Sequence, residues 1–442
     1  MSAAPYAVIV GLGQTGLSCA RYLHARGWRL AVTDTRSAPP QLAALTALGG
    51  EIELRLGALD TSLLTGAVLV VASPGVPLAQ PFFAAARAQG LEVVGDVELF
   101  ARDATAPVAG ITGTNGKSTV TTLLGAMAAR AGLRVQVGGN LGAPALDLLR
   151  ADAELYVLEL SSYQLESTAT LRCRAATVLN VSPDHLDRHP DLESYAAAKA
   201  RIFARCDTAV INLDDPLVAG MAPASRPALS FSLRASIGAD YALAERGGEW
   251  WLTRRESALL PLTHLRLQGR HNVANALAAL ALGEALGLPQ PAMLEELRSF
   301  AGLPHRTQWV AEVRGVTYID DSKGTNVGAT LAAVAGLPGP LLLILGGEGK
   351  NQDFTALRTA VRGKVRLALL IGRDAPLIEQ ALRGACPLER AASLPAAVQA
   401  AARVAAAGDT VLLSPACASF DMFTDYAQRG QVFAAAVQEL AA

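Results

Sequence analysis

The sequence predicts an α/β fold in which mainly parallel sheets are built from repeated strand–helix units. Apolar runs of strand length recur along the chain, including 7–10, 68–72, 176–180, 341–345 and 410–414. Glycine or proline follows such runs, and a helix-like, alanine-rich stretch comes next, which is the pattern of βαβ units. The runs are continuously apolar rather than alternating, as expected for strands that are covered on both faces.

The alternation falls into three blocks, which predict domains at 1–96, 97–302 and 303–442. The first two blocks each open with a strand and a glycine-rich turn. In the second block, a less regular stretch around 248–267 predicts antiparallel strands. The third block follows Gly-Leu-Pro at 302–304, which we interpret as a hinge, and its first strand is expected at 316–319.

Composition excludes several classes of protein. Of the 442 residues, 51% are hydrophobic and 17% are charged, which indicates packed cores rather than disorder. A net charge of -1 provides no basic field for a nucleic acid, so no nucleic-acid partner is expected. The chain has neither the pattern of a signal peptide nor an apolar run long enough to span a bilayer. We therefore expect a cytoplasmic protein without a membrane partner.

The cysteines give no sign of a disulfide framework or of a thiolate zinc site. They are odd in number, scattered and without Cys-x-x-Cys spacing. They are Cys19, Cys173, Cys206, Cys386 and Cys417. A reducing compartment is the simpler interpretation.

The strongest motif is a glycine-rich loop between a strand and a helix-compatible stretch. After the strand at 108–112, the sequence reads Gly-Thr-Asn-Gly-Lys-Ser-Thr at 113–119. The backbone N–H groups of such a loop, and of the helix that follows, bind phosphate oxygens. Lys117 is expected to reach the β- and γ-phosphates of ATP, and the hydroxyl of Ser118 or Thr119 to hold Mg²⁺. An isoleucine occupies the first glycine position of the strict pattern, so the loop is a variant.

A second glycine-rich turn follows the opening strand. It reads Gly-Leu-Gly-Gln-Thr-Gly at 11–16, and Asp34 follows near the end of a second strand. This fits the fingerprint of a Rossmann-like domain, in which a diphosphate approaches the backbone of the turn. The motif alone leaves NAD, FAD and a nucleotide-sugar open as ligands, although the better ATP site elsewhere disfavours a redox dinucleotide.

Two further strand ends carry groups that can bind a metal ion. Glu159 ends an apolar strand, and a carboxylate beside a P-loop can hold Mg²⁺ directly or through water. His185 lies in the polar segment 180–189 and can supply a neutral imidazole to a second cation. An exposed strand-end acid and a polar loop with a capping aspartate remain the alternatives for these two segments.

The third block carries four polar clusters beside its apolar strands. They lie at 305–306, 320–326, 346–350 and 414–421. Open α/β sheets bind ligands at the carboxyl ends of their strands, so several such clusters indicate a site. Arg306, Lys323 and Lys350 could hold an anionic substrate or the γ-phosphate.

Together these motifs resemble the Mur ligases over nearly the whole chain. The resemblance rests on the segments at 113–119, 158–166, 184–187, 268–272, 302–306, 321–323 and 413–420. It implies three domains: a Rossmann-like N-terminal domain for a UDP-sugar, a central P-loop ATPase-like domain, and a Rossmann-like C-terminal domain for an amino acid. The segments at 11–16, 95–100 and 414–419 are similar to those of the members that add D-glutamate to UDP-N-acetylmuramoyl-L-alanine.

The resemblance implies an ATP-dependent carboxylate–amine ligase of peptidoglycan precursor synthesis, acting as a monomer. The carboxylate would become an acyl phosphate, and the amine of D-glutamate would then attack it. Water would destroy the acyl phosphate, so we expect closure about 303–304 before chemistry. The residues implied as catalytic are Lys117, His185, Lys199, Arg306 and Lys323.

The resemblance also assigns binding roles to individual residues. For ATP they are Gly113, Thr114, Asn115, Gly116, Lys117, Ser118, Thr119, Asn272, Arg306 and Asp321. For the UDP-sugar they are Gln14, Thr15, Asp34, Thr35, Arg36, Ser73, Asn140 and Gln164. For D-glutamate they are Thr325, Lys350, Ser419 and Phe420. Two Mg²⁺ ions would be held by Ser118 and Glu159, and by His185 and Lys199. Lys199, otherwise an ordinary helix lysine, would be a carbamate whose oxygens bind the cation.

Three alternatives remain at this stage. A sister ligase, such as a folylpolyglutamate synthetase or a ligase for L-alanine or a diamino acid, is disfavoured by the segments at 11–16 and 414–420. A dinucleotide-dependent oxidoreductase leaves the Lys117 loop unexplained. A non-catalytic nucleotide-sensing module gives no task to Glu159, His185 and the C-terminal clusters.

Overall fold

The computed structural model describes residues 4–185, 188–221, 226–267 and 269–441. Its strands form three sheets of five, nine and six strands, and helices pack around each of them. The α/β fold with three blocks is therefore confirmed. Leu186 and Asp187 of the His185 segment, and Gln268 of the segment at 268–272, lie outside the described residues.

The first sheet has five parallel strands in the order β3-β2-β1-β4-β5. The strands are β1 (Tyr6–Val10), β2 (Arg29–Asp34), β3 (Ile52–Leu56), β4 (Leu69–Ala72) and β5 (Glu92–Val94). The helices are α1 (Gln14–His24), α2 (Leu42–Thr46), α3 (Pro81–Ala88) and α4 (Asp96–Asp103). The strand order reverses between β1 and β4, so a ligand crevice opens at their carboxyl ends, as in Rossmann-like domains.

The central sheet has nine strands in the order β14-β13-β12-β11-β10-β9-β6-β8-β7. They are β6 (Val108–Thr112), β7 (Val135–Gly139), β8 (Leu155–Glu159), β9 (Ala175–Val178), β10 (Thr208–Asn212), β11 (Ala228–Ser232), β12 (Tyr241–Arg246), β13 (Glu249–Arg254) and β14 (Ser257–Pro261). Pairing is parallel from β7 to β12 and antiparallel from β12 to β14. The antiparallel stretch expected around 248–267 is thus confirmed, although it starts earlier, at Tyr241.

Helices cover both faces of the central sheet. They are α5 (Lys117–Arg130), α6 (Ser162–Glu166), α7 (Leu192–Ala200), α8 (Pro216–Ala219), α9 (Arg270–Ala285) and α10 (Gln290–Ser299). The long helix α9 is buried along most of its length because small alanine side chains let it approach α5 and the sheet closely. Strand β6, which leads into the glycine-rich loop, lies between β8 and β9.

The third sheet has six strands in the order β15-β16-β20-β17-β18-β19. They are β15 (Gln308–Val313), β16 (Val316–Asp320), β17 (Leu341–Gly346), β18 (Val365–Ile371), β19 (Leu388–Arg390) and β20 (Thr410–Leu413). The helices are α11 (Val327–Gly336), α12 (Leu357–Val361), α13 (Ala375–Leu382), α14 (Leu394–Val404) and α15 (Tyr426–Ala441). The strand expected at 316–319 is present as β16, but the antiparallel edge strand β15 precedes it. The turn between them uses left-handed backbone at Arg314 and Gly315.

The first two sheets share a continuous apolar core. It runs from β1 through α4 to the central sheet, where the rings of Phe100 and Tyr156 meet edge to face at 5.0 Å. Helix α4, which begins at residue 96, packs on both sides of this junction. The domain boundaries at 96 and 302 remain predictions. Among the residues that the structure describes, no helix is long and apolar enough to cross a membrane.

Candidate active site

The glycine-rich loop joins β6 to α5 and has the backbone shape that the motif requires. Gly116 has φ 86°, and a Cβ atom there would lie 2.4 Å from the Oδ1 atom of Asn275, so only glycine fits. The Nζ atom of Lys117 donates to the carbonyl oxygens of Gly113 at 2.9 Å and Thr114 at 2.8 Å. The ammonium group is therefore held against the loop, where phosphate oxygens would lie.

A second strand fastens this loop in place. Asn180 follows β9, and its Oδ1 atom accepts from the backbone N–H of Asn115 at 2.8 Å. Its Nδ2 atom donates to the carbonyl oxygen of Asn115 at 3.0 Å. Both hydrogen bonds go to backbone atoms of Asn115. Asn180 therefore fixes the loop conformation independently of the side chain at position 115.

Glu159 offers an unsatisfied carboxylate oxygen beside the loop. It ends β8, is only 3% exposed, and stands opposite Ile111 of β6 in the sheet register. Its Oε1 atom accepts from the Nδ2 atom of Asn140 at 2.7 Å, whereas its Oε2 atom has no hydrogen-bond partner in the described part of the chain. A buried carboxylate oxygen without a partner is costly, and a cation would satisfy it. The donor set at this position fits Mg²⁺.

Lys199 is a buried lysine that shares an acceptor with Lys117. Its side chain lies on α7, the residue is 1% exposed, and its Nζ atom donates to the same Gly113 carbonyl oxygen at 2.9 Å. The Nζ atom also lies 4.3 Å from the centre of the Tyr195 ring. Burial, together with the charge of Lys117, holds the pKa of Lys199 well below its usual 10.5. A neutral amine at this position is a nucleophile that can react with CO₂.

The segment with Asp184 and His185 lies beside the glycine-rich loop, where the backbone N–H of Ser182 donates to the Thr114 hydroxyl oxygen at 3.0 Å. His185 has a left-handed backbone, with φ 56°, and its ring centre lies 5.3 Å from that of Tyr163. Asp184 accepts from the backbone N–H of His185 at 2.9 Å and from the Nδ2 atom of Asn326 at 3.0 Å. Burial alone would raise the pKa of Asp184, but His185, Lys350 and these hydrogen bonds lower it below its usual value. The carboxylate is therefore ionised at the mouth of the loop.

Residues of the third domain reach into the same space. The Nη2 atom of Arg306 donates to the hydroxyl oxygen of Ser118 at 2.8 Å. Asp321 accepts from the Ser414 hydroxyl at 2.8 Å and from the backbone N–H of Thr307 at 3.1 Å, and burial raises its pKa to about 7. The third domain thus supplies a cation and a carboxyl group next to the glycine-rich loop.

Lys323 stands beside these groups with a lowered pKa. Burial, and next the charge of Arg306, lowers the pKa of Lys323 to about 8. Its Nζ atom lies 3.7 Å from the centre of the Tyr426 ring, a cation–π contact that favours the charged form. Lys323 can therefore exist in both protonation states near neutral pH.

One cavity lies between the central and third domains and gathers most of the predicted ATP residues. The predicted residues that line it are Asn115, Gly116, Thr119, Asn272, Arg306, Asp321 and Lys323. Apolar groups such as Leu179, Phe231 and Ala274 complete its wall. Gly113, Thr114, Lys117 and Ser118 belong to the same loop. An apolar slot beside a phosphate-binding loop is the arrangement that a purine nucleotide needs.

A second cavity opens at the carboxyl ends of the first sheet. It is lined by all eight residues predicted for the UDP-sugar: Gln14, Thr15, Asp34, Thr35, Arg36, Ser73, Asn140 and Gln164. Asn140 belongs to this cavity and also binds Glu159, so the cavity leads toward the glycine-rich loop. These eight residues therefore lie together around one cavity, and their role in binding a UDP-sugar remains a prediction.

The carboxylate of Asp34 already accepts hydrogen bonds from other groups of the protein. It accepts from the backbone N–H of Leu12 at 2.7 Å and from the Nη2 atom of Arg36 at 2.6 Å. Burial would raise the pKa of Asp34, but these hydrogen bonds and the charge of Arg36 lower it to about 2. In the dinucleotide fingerprint such a residue binds a ribose hydroxyl directly, whereas here it orients Arg36 at the cavity wall.

The four residues predicted to bind D-glutamate are less closely connected than the residues predicted for ATP and for the UDP-sugar. Lys350 has a left-handed backbone, with φ 51°, and its Nζ atom lies 3.5 Å from the Oδ1 atom of Asp184. Ser419 is buried, whereas Phe420 is 69% exposed. Within the described ranges, no hydrogen bond links the side chains of Thr325, Lys350, Ser419 and Phe420 to one another. The pocket for this substrate remains a prediction.

Sequence reasoning did not single out Asn180, Asp184, Tyr195 or Asn326 as site residues. The Oδ1 atom of Asn326 caps α11 by accepting from the Ala329 N–H at 2.8 Å, which is what an asparagine before a helix predicts. Its Nδ2 atom donates to Asp184 of another domain, and no local pattern reveals that contact. For Asp184, the signal was its place beside His185 at a strand end.

Comparison with family models covers most of the chain. The model for the Mur ligase MurD-like N-terminal domain matches residues 6–95. The model for the Mur ligase middle domain matches residues 111–283. The model for the Mur ligase glutamate ligase domain matches residues 305–417. The three matched ranges correspond to the three sheets.

Full-length relatives carry the name UDP-N-acetylmuramoylalanine–D-glutamate ligase. The protein from Nitrosococcus oceani is 55% identical, with 98% of this chain and 96% of that protein covered. The protein from Pseudomonas aeruginosa is 51% identical, with 99% of this chain and 98% of that protein covered. Similarity of this level over both chains extends to all three domains.

Solved structures with lower identity show the same fold. MurF from Acinetobacter baumannii has a TM-score of 0.63 and 18% identity, covering 98% of this chain and 90% of that one. UDP-N-acetylmuramate-alanine ligase MurC from Thermotoga maritima has a TM-score of 0.59 and 19% identity, covering 98% and 99%. Because three family models match residues 6–95, 111–283 and 305–417, and relatives are 51% and 55% identical over nearly the whole chain, the chain belongs to the Mur ligase family.

Proposed function

We propose that this protein joins D-glutamate to UDP-N-acetylmuramoyl-L-alanine with cleavage of ATP to ADP and phosphate, in peptidoglycan precursor synthesis. The names of relatives that are 55% and 51% identical over nearly the whole chain support this substrate pair. The observation that supports the proposal most directly is the hydrogen bond between the side chains of Asn140 and Glu159. It joins a residue of the nucleotide-sugar cavity to the carboxylate beside the ATP loop, so a carboxylate in one cavity can meet the γ-phosphate in the other.

The first step activates the carboxylate of the nucleotide-sugar. One carboxylate oxygen attacks the γ-phosphorus, the bond from that phosphorus to the β,γ-bridging oxygen breaks, and ADP leaves. Catalysis of this step is mainly positioning and charge neutralisation. Lys117 binds the phosphate oxygens, and Asn272, Arg306 and Asp321 position the nucleotide.

Two Mg²⁺ ions fit the residues present. Ser118 and Glu159 would hold the first, because Glu159 offers its unsatisfied oxygen. His185 and Lys199, the latter as a carbamate, would hold the second. When bound, the ions supply charge neutralisation for the phosphate groups.

Carbamate formation at Lys199 follows from its surroundings. The neutral nitrogen attacks CO₂, an N–C bond forms, and one proton is released to solvent. Lys117 and Lys199 donate to one carbonyl oxygen, so two full positive charges there repel each other. A carbamate replaces the second positive charge with a negative one and thereby stabilises the pair.

The second step forms the amide bond. The amine of D-glutamate, as the free base, attacks the acyl carbon, and the tetrahedral intermediate expels phosphate and loses a proton. Arg306 and Lys323 are placed to stabilise the oxyanion of this intermediate. Thr325, Lys350, Ser419 and Phe420 would bind D-glutamate, with Lys350 facing its carboxylates.

Closure of the third domain over the loop would exclude water from the acyl phosphate. The contacts of Arg306 with Ser118 and of Asn326 with Asp184 support a docked arrangement during chemistry. We also propose that the enzyme acts as a monomer in the cytoplasm, where ATP and UDP-sugar precursors are available.

Phosphate release from ATP tests this function, with Mg²⁺ and bicarbonate present. Release that requires both UDP-N-acetylmuramoyl-L-alanine and D-glutamate, and that L-glutamate does not support, is expected. Release with another amino acid instead would indicate a sister ligase. Absence of release in every combination, with NAD binding to the first domain, would favour the oxidoreductase, which the occupied carboxylate of Asp34 disfavours.

A further inference from the structure

Arg188 joins the first domain to the central domain through a nearly buried guanidinium group. Its side chain is 11% exposed, and its Nη2 atom lies 3.1 Å from the Oε2 atom of Glu166 on α6. The Nη1 atom donates to the carbonyl oxygen of Pro74 at 3.5 Å, and the Nη2 atom donates to that of Val76 at 3.4 Å. One side chain of the His185 segment therefore holds backbone of the first domain.

The carbonyl groups that Arg188 binds belong to a wall of the nucleotide-sugar cavity. Ser73, Pro74 and Val76 all line that cavity. The wall is tight: the Ser73 hydroxyl donates to the Gly11 carbonyl oxygen at 2.7 Å, and the Val76 N–H donates to the Ser73 carbonyl oxygen at 3.0 Å. A shift of this turn would therefore move the glycine-rich turn at Gly11 as well.

The same guanidinium also contacts the aromatic ring beside His185. The Cζ atom of Arg188 lies 4.6 Å from the centre of the Tyr163 ring. On that ring the His185 ring packs edge to face at 5.3 Å, and His189 stacks at 5.8 Å. His189 also contacts α6, through the Ser162 hydroxyl at 3.0 Å. Only the Tyr163 ring therefore lies between Arg188 and His185 in this chain of contacts. On its other side, Arg188 binds backbone that lines the nucleotide-sugar cavity.

This arrangement depends on the shape of arginine as well as on its charge. A planar guanidinium can bind Glu166, reach two carbonyl oxygens and stack on a ring at the same time, whereas a lysine ammonium cannot. Glu166 supplies the charge that a nearly buried cation needs. The contacts go to backbone atoms of the first domain, so the sequence of the turn does not reveal them.

We infer that Arg188 is a positioning residue that couples occupation of the nucleotide-sugar cavity to the placement of His185. The inference rests on the proposed function, because it takes UDP-N-acetylmuramoyl-L-alanine as the ligand of that cavity. When the ligand orders the turn at 73–76, Arg188 transmits that order through Tyr163 to the His185 ring. Arg188 is not among the residues that line the cavity between the central and third domains, so its effect on nucleotide binding should be small.

Calorimetry and NMR on the full chain test this coupling without turnover. The variants are Arg188→Ala and Arg188→Lys, and the matched control is Arg130→Gln, which removes a 2.6 Å ion pair to Glu296 on the outside of the central domain. For Arg188→Ala, the Kd for UDP-N-acetylmuramoyl-L-alanine should rise about tenfold, as expected for loss of hydrogen bonds to a charged group. The Kd for an ATP analogue should not change, and Arg188→Lys should recover only a minor part of the affinity.

The His185 ring gives the second readout. In the unmodified protein and in Arg130→Gln, the nucleotide-sugar should shift the ring resonances of His185, which is one of six histidines. In Arg188→Ala at saturating ligand, that shift should be lost. Equal affinities and equal His185 shifts in Arg188→Ala and Arg130→Gln would overturn the inference, as would full recovery by Arg188→Lys. If Arg188→Ala does not fold, Arg188→Lys decides alone. Failure of the unmodified protein to bind the nucleotide-sugar would contradict the proposed function instead.

Discussion

The Nη2 atom of Arg306 lies 2.8 Å from the hydroxyl oxygen of Ser118, across the boundary between the third and central domains. Arg306 follows the hinge segment. Ser118 is the second residue of α5 and belongs to the glycine-rich motif at 113–119. Burial lowers the pKa of Arg306, while the nearby carboxylates of Glu159 and Asp321 raise it. The contact therefore places a cation of the third domain at the loop that binds ATP.

Replacement of Arg306 should reduce turnover more than nucleotide binding. We expect Arg306→Ala to lower kcat by about 100-fold or more, the size of losing one donor to a developing charge. The KM for ATP should rise less. Steady-state phosphate release measures both constants, with Arg130→Gln as a control that should match the unmodified protein. A rise in KM alone would assign Arg306 to nucleotide binding only.

Glu159→Gln should raise the Mg²⁺ concentration needed for half-maximal activity. Glutamine keeps an acceptor for Asn140 but removes the negative charge and the unsatisfied oxygen. We expect a rise of about tenfold or more, with little change in thermal stability. A magnesium titration of phosphate release checks this, with the exposed ion-pair residue Glu154 changed to glutamine as control. An unchanged titration would exclude Glu159 as a cation ligand.

Lys199 should carry a carbamate at neutral pH. Burial and the charge of Lys117 lower its pKa well below 10.5, which favours the neutral amine that reacts with CO₂. Protein equilibrated with ¹³C-bicarbonate should show a carbamate resonance in its ¹³C spectrum. The signal should vanish in Lys199→Ala and persist in Lys364→Ala. Persistence of the signal in Lys199→Ala would place the modification elsewhere.

Asp321 should make stability depend on pH. Its pKa is raised from 3.8 to about 7, chiefly by burial, so the folded state favours the protonated carboxyl. The stabilisation that this proton gives is complete below the unfolded pKa and is lost as pH rises through about 7. The melting temperature of the unmodified protein, relative to Asp321→Asn, should therefore fall between about pH 5 and about pH 8. A constant difference would contradict the raised pKa. The exposed Asp152→Asn should leave the profile unchanged.

Asp96 should affect binding of the nucleotide-sugar through Gln164. The Nε2 atom of Gln164 donates to Asp96 Oδ2 at 3.3 Å, and its Oε1 atom accepts from the Ser161 N–H at 3.1 Å. The amide is therefore held in one orientation at the cavity wall. Asp96→Leu should raise the KM for the nucleotide-sugar about tenfold, the effect of one mispositioned hydrogen bond, without changing that for ATP. Equal changes in both constants would indicate a general loss of structure.

The sequence predicted most of the fold because strands, glycine-rich turns and helix starts leave local patterns. The loop at 113–119 and the turn at 11–16 were recognisable for this reason. The edge strand β15 was missed because Trp309 is 58% exposed and the strand lacks a clear alternation of buried and exposed residues. The segment forms a strand because it pairs with β16.

Contacts between domains could not be predicted from local patterns. Asn326 and Asp184 are far apart in sequence, and each has an ordinary local role as a cap or a loop residue. Arg188 binds backbone carbonyl oxygens, which every residue carries. Such contacts depend on how the three sheets pack against one another, and no single segment of the sequence encodes that packing.

Transfer of an oxygen isotope tests the central claim, activation of a carboxylate as an acyl phosphate. UDP-N-acetylmuramoyl-L-alanine labelled with ¹⁸O in its terminal carboxylate would be converted in unlabelled water with ATP and D-glutamate. An attacking carboxylate oxygen remains bonded to phosphorus when the amine displaces phosphate, so the released phosphate should carry one ¹⁸O atom. Phosphate without ¹⁸O would mean that water, not the carboxylate, attacks ATP, and it would contradict the ligase mechanism.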